Sequence, residues 1–149
     1  MDEIDRHFQK YKDEAAEFSK KLSQMLRAKS RVSPTTAAQV NLTLAKTVFS
    51  KWSIEILTIL YSVKSSSYSD LKNELRGITS RVLSEKLKKL EQGGLLSRTV
   101  LPGRPPRTTY SLTEKGLTVA KLGEPVFLYM AYKEGLYNEP KVAAEKSHW

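Results

Sequence analysis

The chain has 149 residues, 40% of them hydrophobic, no cysteine, and a formal net charge of +9. Such a length and apolar content suit one core, most simply a single domain with extensions. The missing cysteines exclude disulfides, thiolate zinc sites and thiol redox sensing, and no apolar run approaches the roughly 20 residues of a membrane span.

The charge is unevenly placed. Residues 61–113 carry ten basic and four acidic groups, whereas residues 1–60 carry ten and seven, and residues 114–149 five and five. Two-thirds of the positive excess therefore sits in about one-third of the chain, as a footprint for a polyanion requires. The plainer alternative is a basic face kept for solubility. The opening run MDEIDRHFQKYKDE is charged throughout, unlike a secretory signal peptide, so a cytoplasmic location is expected.

The first predicted element is a helix from residue 3 to about 29. Ile4, Phe8, Tyr11, Ala15, Phe18, Leu22 and Met25 recur at alternating steps of four and three, the seam of a coiled coil. Asp2, Glu3 and Asp5 at its start and Arg27 and Lys29 at its end complement the helix dipole. Three aromatics and one alanine make this seam irregular. It therefore fits a helix packed on its own domain as well as one packed between subunits. Residues 1–32 are read as an N-terminal extension for packing or dimerisation.

Ser33 and Pro34 suit an N-cap and first helical position. They open a predicted helix from about Thr35 to Phe49 that buries Val40, Leu44 and Val48. A second helix, from about Lys51 to Tyr61, is apolar on too many faces for the surface and is the expected core helix. Trp52 at its start is read as a core residue rather than a base-stacking one. Lys64–Tyr68 is a loop or a very short strand. Ser69 is the expected N-cap of a helix over Asp70–Leu75, with Gly77 supplying the left-handed residue that ends it.

Thr79 caps the next helix, Ser80 to about Gln92, and Ile78 before it can staple the entry. Leu83, Leu87 and Leu90 form its buried stripe. At 100° per residue, Arg81, Glu85, Lys88 and Gln92 fall on the opposite face, with Ser84 at the edge. These side chains are of the kinds that read base edges: Arg or Lys to guanine, Gln to adenine, Glu to cytosine, Ser to either. An ordinary solvated face would look similar. What favours a reading face is its place as the second helix of a tight helix-turn-helix, where insertion into a major groove is geometrically easy.

Gly93-Gly94 ends that helix. Residues 95–100 and 108–112 read as two strands, joined by Leu101-Pro102-Gly103-Arg104-Pro105-Pro106-Arg107. Three prolines stiffen this tip, and its arginines suit phosphates or a narrow minor groove.

Taken together, Trp52–Leu60, the runs YSDLK, GITSRVLSEKLKKLE and GLLSR, and PPRTTYSLTEKG at Pro105–Gly116 resemble the HxlR-type winged-helix transcriptional regulators. The likeness covers about Val40 to Leu128. It implies a dimeric DNA-binding regulator, its second helix in the major groove and its wing on the flanking backbone. Carried onto this chain, the reading contacts fall on Thr79, Ser80, Arg81, Ser84, Glu85 and Lys88, and the backbone contacts on Arg98, Arg104 and Arg107. Two features depart from the family pattern. Members often carry a Cys-Pro pair before the helix that precedes the Trp, used by some as a thiol sensor, where this chain has Gln39-Val40-Asn41-Leu42. The N-terminal helix is also longer than is usual.

Beyond the N-cap Thr113, residues 114–137 are predicted as one helix broken or kinked near Pro125. Val126–Tyr132 is apolar around most of its circumference, so a second subunit is its natural cover. Phe8, Tyr11, Phe18, Leu22, Phe127 and Met130 are the expected dimer contacts. Residues 138–149 are read as a poorly ordered tail.

The expected fold is mainly α with a small β-hairpin. A winged helix-turn-helix spans residues 33–113, and extra N- and C-terminal helices form a dimer interface. The sequence gives catalysis no foothold. His7 and His148 lack spaced metal-ligand partners, and no phosphate loop, nucleophile elbow or dinucleotide fingerprint occurs. No enzyme activity, cofactor, metal or membrane partner is expected. The expected partners are double-stranded DNA, in a pseudo-palindromic site, and a second copy of the chain. Two alternatives stay open: an architectural DNA binder of low specificity, and a winged helix that binds another protein.

Overall fold

A computed structural model describes residues 1–29 and 31–138. Its elements run α1 (Glu3–Lys29), α2 (Pro34–Val48), α3 (Ser53–Val63), β1 (Ser65–Ser67), α4 (Tyr68–Glu74), α5 (Ser80–Gln92), β2 (Leu96–Leu101), β3 (Arg107–Leu112) and α6 (Glu114–Lys133). The predicted tail from 139 onward lies outside the described residues.

Leucine spacing builds the core. Ile56, Leu57 and Leu60 on one side of α3 meet Leu71 of α4, Leu75 and Ile78 of the following turn, and Leu83, Leu87 and Leu90 of α5. Leu95, Leu96 and Tyr110 close it from the sheet side. Ser33, Thr79 and Thr113 cap α2, α5 and α6 as predicted, each accepting a backbone N–H three residues on.

The sheet has three strands, not two, in the order β1-β3-β2, all antiparallel. Strand β1 pairs Ser65 with Ser111 and Ser67 with Thr109, so a polar triplet gains its place from β3 rather than from its own propensity. Two starts differ from expectation. Ser67, not Ser69, caps the helix before the turn, its Oγ accepting the Asp70 N–H at 3.1 Å. Once β1 is hydrogen-bonded through Ser67, that residue is the first with extended geometry next to the helix. Helix α3 starts at Ser53, because Trp52 sits at a positive φ of 73° and ends the preceding turn. Trp52 packs against the core cluster, as its apolar context predicts.

One further expectation fails. Val40 and Leu44 of α2 are 50% and 53% exposed; only Val48, at the end of that helix, packs on the core. Residues 34–44 of α2 are exposed throughout, and Ala45, Thr47 and Val48 at its end are half-buried. Helix α6 runs unbroken through Pro125 and ends at Lys133, with Gly135 at φ 75° just beyond. Proline there removes the amide that would bond to the Lys121 carbonyl, and the helix still continues to Lys133. No described helix is long and apolar enough to cross a membrane.

Candidate nucleic-acid interface

The turn between α4 and α5 is set by Gly77 at φ 85°, a conformation side chains rarely adopt, although the space around it is open. From there Thr79 Oγ1 accepts the Val82 N–H at 3.2 Å and starts α5. The helix buries Leu83, Leu87 and Leu90 and turns Ser80, Arg81, Ser84, Glu85 and Lys88 to solvent. The outward row predicted from the leucine spacing is thus present, on one face and in order.

The structure adds partners that spacing could not reveal. Arg81 Nε donates to Glu85 Oε1 at 3.2 Å, one turn further along. Tyr68 of α4 donates its hydroxyl to the Ser80 carbonyl at 3.1 Å and lies 3.2 Å from Ser84 Oγ. It braces the start of α5 from the preceding helix. Thr79 and Ser84 therefore have local duties that compete with contact to a ligand. Sequence reading placed Tyr68 in a connection. Its partners lie 12 and 16 residues away, so no helical period marks it.

The wing is the β2–β3 hairpin, with Arg98 pairing opposite Tyr110 and Leu101 opposite Arg107. Arg98, Arg104 and Arg107 are all exposed. Arg107 is not loose: its guanidinium lies 3.5 Å from the Asp70 carboxylate on α4. That exposed pair links the tip end of the wing to the first helix of the helix-turn-helix. The hairpin is anchored at its other end by α6. The Thr113 amide donates to the Leu95 carbonyl at 3.0 Å, and Gly116 lies against the Leu95 backbone.

The expected dimer contacts fall into two groups. Phe8 is engaged within the chain, edge-on to Tyr129 (ring centroids 5.3 Å apart) and stacked on Tyr132 (5.8 Å). Around it Lys133 Nζ donates to Asp5 at 2.7 Å, and the Tyr132 hydroxyl donates to Asp2. That bond holds the Asp2 carboxyl below its ordinary range and pushes the Tyr132 phenol up to about 12. Tyr11, Phe18 and Leu22 on α1, and Phe127 and Met130 on α6, are exposed instead. From Val126 to Met130 every side chain of α6 is between 42% and 61% exposed. Beside this strip an apolar cleft of about 290 Å³ opens between α3 and α6, with Leu57, Val119 and Phe127 in its lining. The Tyr61 hydroxyl donates to Glu124 across it at 3.1 Å, which raises the Tyr61 phenol above its usual value.

A short first helix, a glycine turn, a second helix with a polar outer face and a basic hairpin define a winged helix-turn-helix protein. Residues 47–133 match the sequence profile of the HxlR-like helix-turn-helix family, and the chain belongs to that family. Among curated relatives, the uncharacterized HTH-type transcriptional regulator YvaP of Bacillus subtilis is 46% identical over 61 residues, 40% of this chain and 56% of YvaP. YtfH of Escherichia coli, described in the same terms, is 37% identical over 76 residues, 51% of this chain and 60% of YtfH. The chain thus spans little more than half the length of these curated relatives. Among solved structures, that of the transcriptional regulator ytfH from Salmonella typhimurium aligns with a TM-score of 0.56 and 31% identity, over 65% of this chain and 84% of that one. The redox regulator HypR in its oxidised form aligns with a TM-score of 0.53 and 29% identity, over 67% and 96%. This chain has no cysteine with which to respond to oxidation through a thiol.

Proposed function

We propose that this chain is a DNA-binding transcriptional regulator that acts as a homodimer. Helix α5 enters the major groove, and the β2–β3 wing lies on the flanking backbone or minor groove. The observation that carries this reading is the outer face of α5: Ser80, Arg81, Ser84, Glu85 and Lys88 stand exposed on the second helix of the turn. Family membership and the positive excess in residues 61–113 support it. Arg81 and Lys88 suit guanine edges and Glu85 the cytosine amine, while Thr79 contributes at the helix start. Arg98, Arg104 and Arg107 supply grip on phosphates. In this division residues 33–113 form the reading unit, and residues 1–32 and α6 bring two copies together. A cytoplasmic location goes with that role.

Two copies related by a two-fold axis would present their α5 helices to successive major grooves about 34 Å apart, on a pseudo-palindrome. The exposed strip Val126–Met130 supports the pairing, since an apolar run of this kind usually marks an interface. Phe127→Asp is expected to convert the dimer to monomer, read as a halved mass in light scattering at micromolar concentration. A wild-type monomer under those conditions would remove the dimer from the proposal.

Sequencing of DNA fragments bound at near-physiological salt tests the regulator reading, because it returns motif, symmetry and half-site spacing together. A best site that outcompetes random duplex by less than about tenfold leaves a low-specificity architectural binder instead. No duplex binding even at low salt would point to a protein partner for the winged helix.

A further inference from the structure

Helix α1 lies outside the family match, which begins at residue 47, and among the described residues none of its side chains is fully buried. Its first turns are moored to α6 through Asp2, Asp5 and Phe8. Beyond Phe8 the seam continues uncovered, with Tyr11, Phe18, Leu22 and Met25 between 38% and 62% exposed. A straight helix has 3.6 residues per turn, so a seam repeating every 3.5 drifts round it unless two helices supercoil. A repeat kept from Ile4 to Met25 is therefore built for a second helix rather than for the globular core.

We infer that α1 pairs with α1 of a second copy as an antiparallel coiled coil centred between Ala15 and Phe18. This rests on the two-copy reading above and specifies how the N-terminal helices meet. Size selects the direction. Antiparallel pairing that sets Ala15 against the partner's Phe18 also sets Tyr11 against the partner's Leu22, while Phe8 stays seated on its own α6. The small side chain, Ala15, then faces a large one, and the symmetry repeats every contact. Parallel pairing would oppose Ala15 to Ala15, leaving a gap, and Phe18 to Phe18, overfilling the next layer.

Charge selects the same arrangement. In that register the positions flanking the seam bring Glu14 opposite the partner's Lys21, and Lys21 opposite the partner's Glu14. In parallel pairing the flanking neighbours are His7 with Lys12, Glu14 with Ser19 and Lys21 with Leu26, none of them an opposite-charge pair at neutral pH. Within its own chain Glu14 meets Lys10 at 3.8 Å, a solvent-exposed contact one turn away that leaves room for the second partner.

The full-length chain tests this directly, because it has no cysteine and each introduced thiol is unique. Spin labels on Asp13→Cys and on Arg27→Cys lie on the outer face of α1. Antiparallel pairing separates equivalent labels along the axis by about 10 Å at 13 and about 30 Å at 27, at 1.5 Å per residue. Equal inter-label distances at the two positions would mean parallel helices and overturn the inference. Glu14→Lys is expected to weaken dimerisation roughly tenfold in sedimentation, by placing lysine opposite the partner's Lys21 twice. Glu14→Lys with Lys21→Glu is expected to recover to within about threefold of wild type. Failure of that rescue, or distances too long to measure at both positions in a protein of dimeric mass, overturns the α1 pairing and leaves the dimer itself standing. A wild-type monomer overturns both.

Discussion

Replacing Gly116 with alanine is expected to destabilise the fold by about 3 kcal/mol. At this chain length that lowers the melting temperature by about 10 °C, read by thermal unfolding in circular dichroism. A β-carbon at position 116 would land on the carbonyl oxygen of Leu95 and within 3.0 Å of its carbonyl carbon. Both partners are backbone, so no side-chain rotation relieves the overlap. Leu95 is itself 3% exposed and fixed by two backbone bonds, its N–H to Leu90 and its carbonyl from Thr113. Gly77→Ala is the informative comparison. Its surroundings are empty and only its φ of 85° opposes a side chain, so the expected loss is about 1 kcal/mol. Equal losses at the two sites would show that α6 does not seat on the Leu95 backbone as described.

The second large effect concerns reading against gripping. Arg81→Ala is expected to reduce discrimination between the best site and a single-mismatch site by about 1–3 kcal/mol, about tenfold or more in relative affinity. Arg104→Ala is expected to weaken all duplexes alike and to lower the slope of log affinity against log salt by about 0.9 per site. Titrations of both variants over a salt series, on matched and mismatched duplexes, give both quantities. Equal, sequence-independent losses would mean that α5 grips without reading. Arg107 should report less cleanly than Arg104, because its removal also ends the contact with Asp70 that ties the wing to α4.

Much of this architecture is legible in sequence because its determinants are local. Leu83, Leu87 and Leu90 fix the rotation of α5, and Thr79 with Gly77 fixes its start, so the outward row follows from spacing alone. The differences arise wherever a distant partner decides. Ser65–Ser67 is a strand because β3 is there to pair with it, and that pairing moves the cap of α4 to Ser67. Tyr68 braces Ser80 and Ser84, and Asp70 holds Arg107, across distances that carry no period. Pro125 reads as a break or kink in isolation and lies inside the single helix Glu114–Lys133. Val40 and Leu44 were expected inside on the strength of their spacing. Spacing specifies a face of α2 and not what, if anything, covers it.

The Arg81–Glu85 pair has a consequence for how the protein would search along DNA. On random duplex, phosphates offer Arg81 little more than Glu85 already does, and the carboxylate repels them. A surface pair of this sort is worth at most about 1 kcal/mol, so a correct base can displace it readily. In the proposed complex a matched site would offer both halves of the pair new partners, guanine for the arginine and the cytosine amine for the glutamate. The contact would then act as a threshold, shortening dwell times on wrong sequence while adding little delay at the right one. Specificity in such a helix comes partly from an attraction it already holds and gives up only on favourable terms.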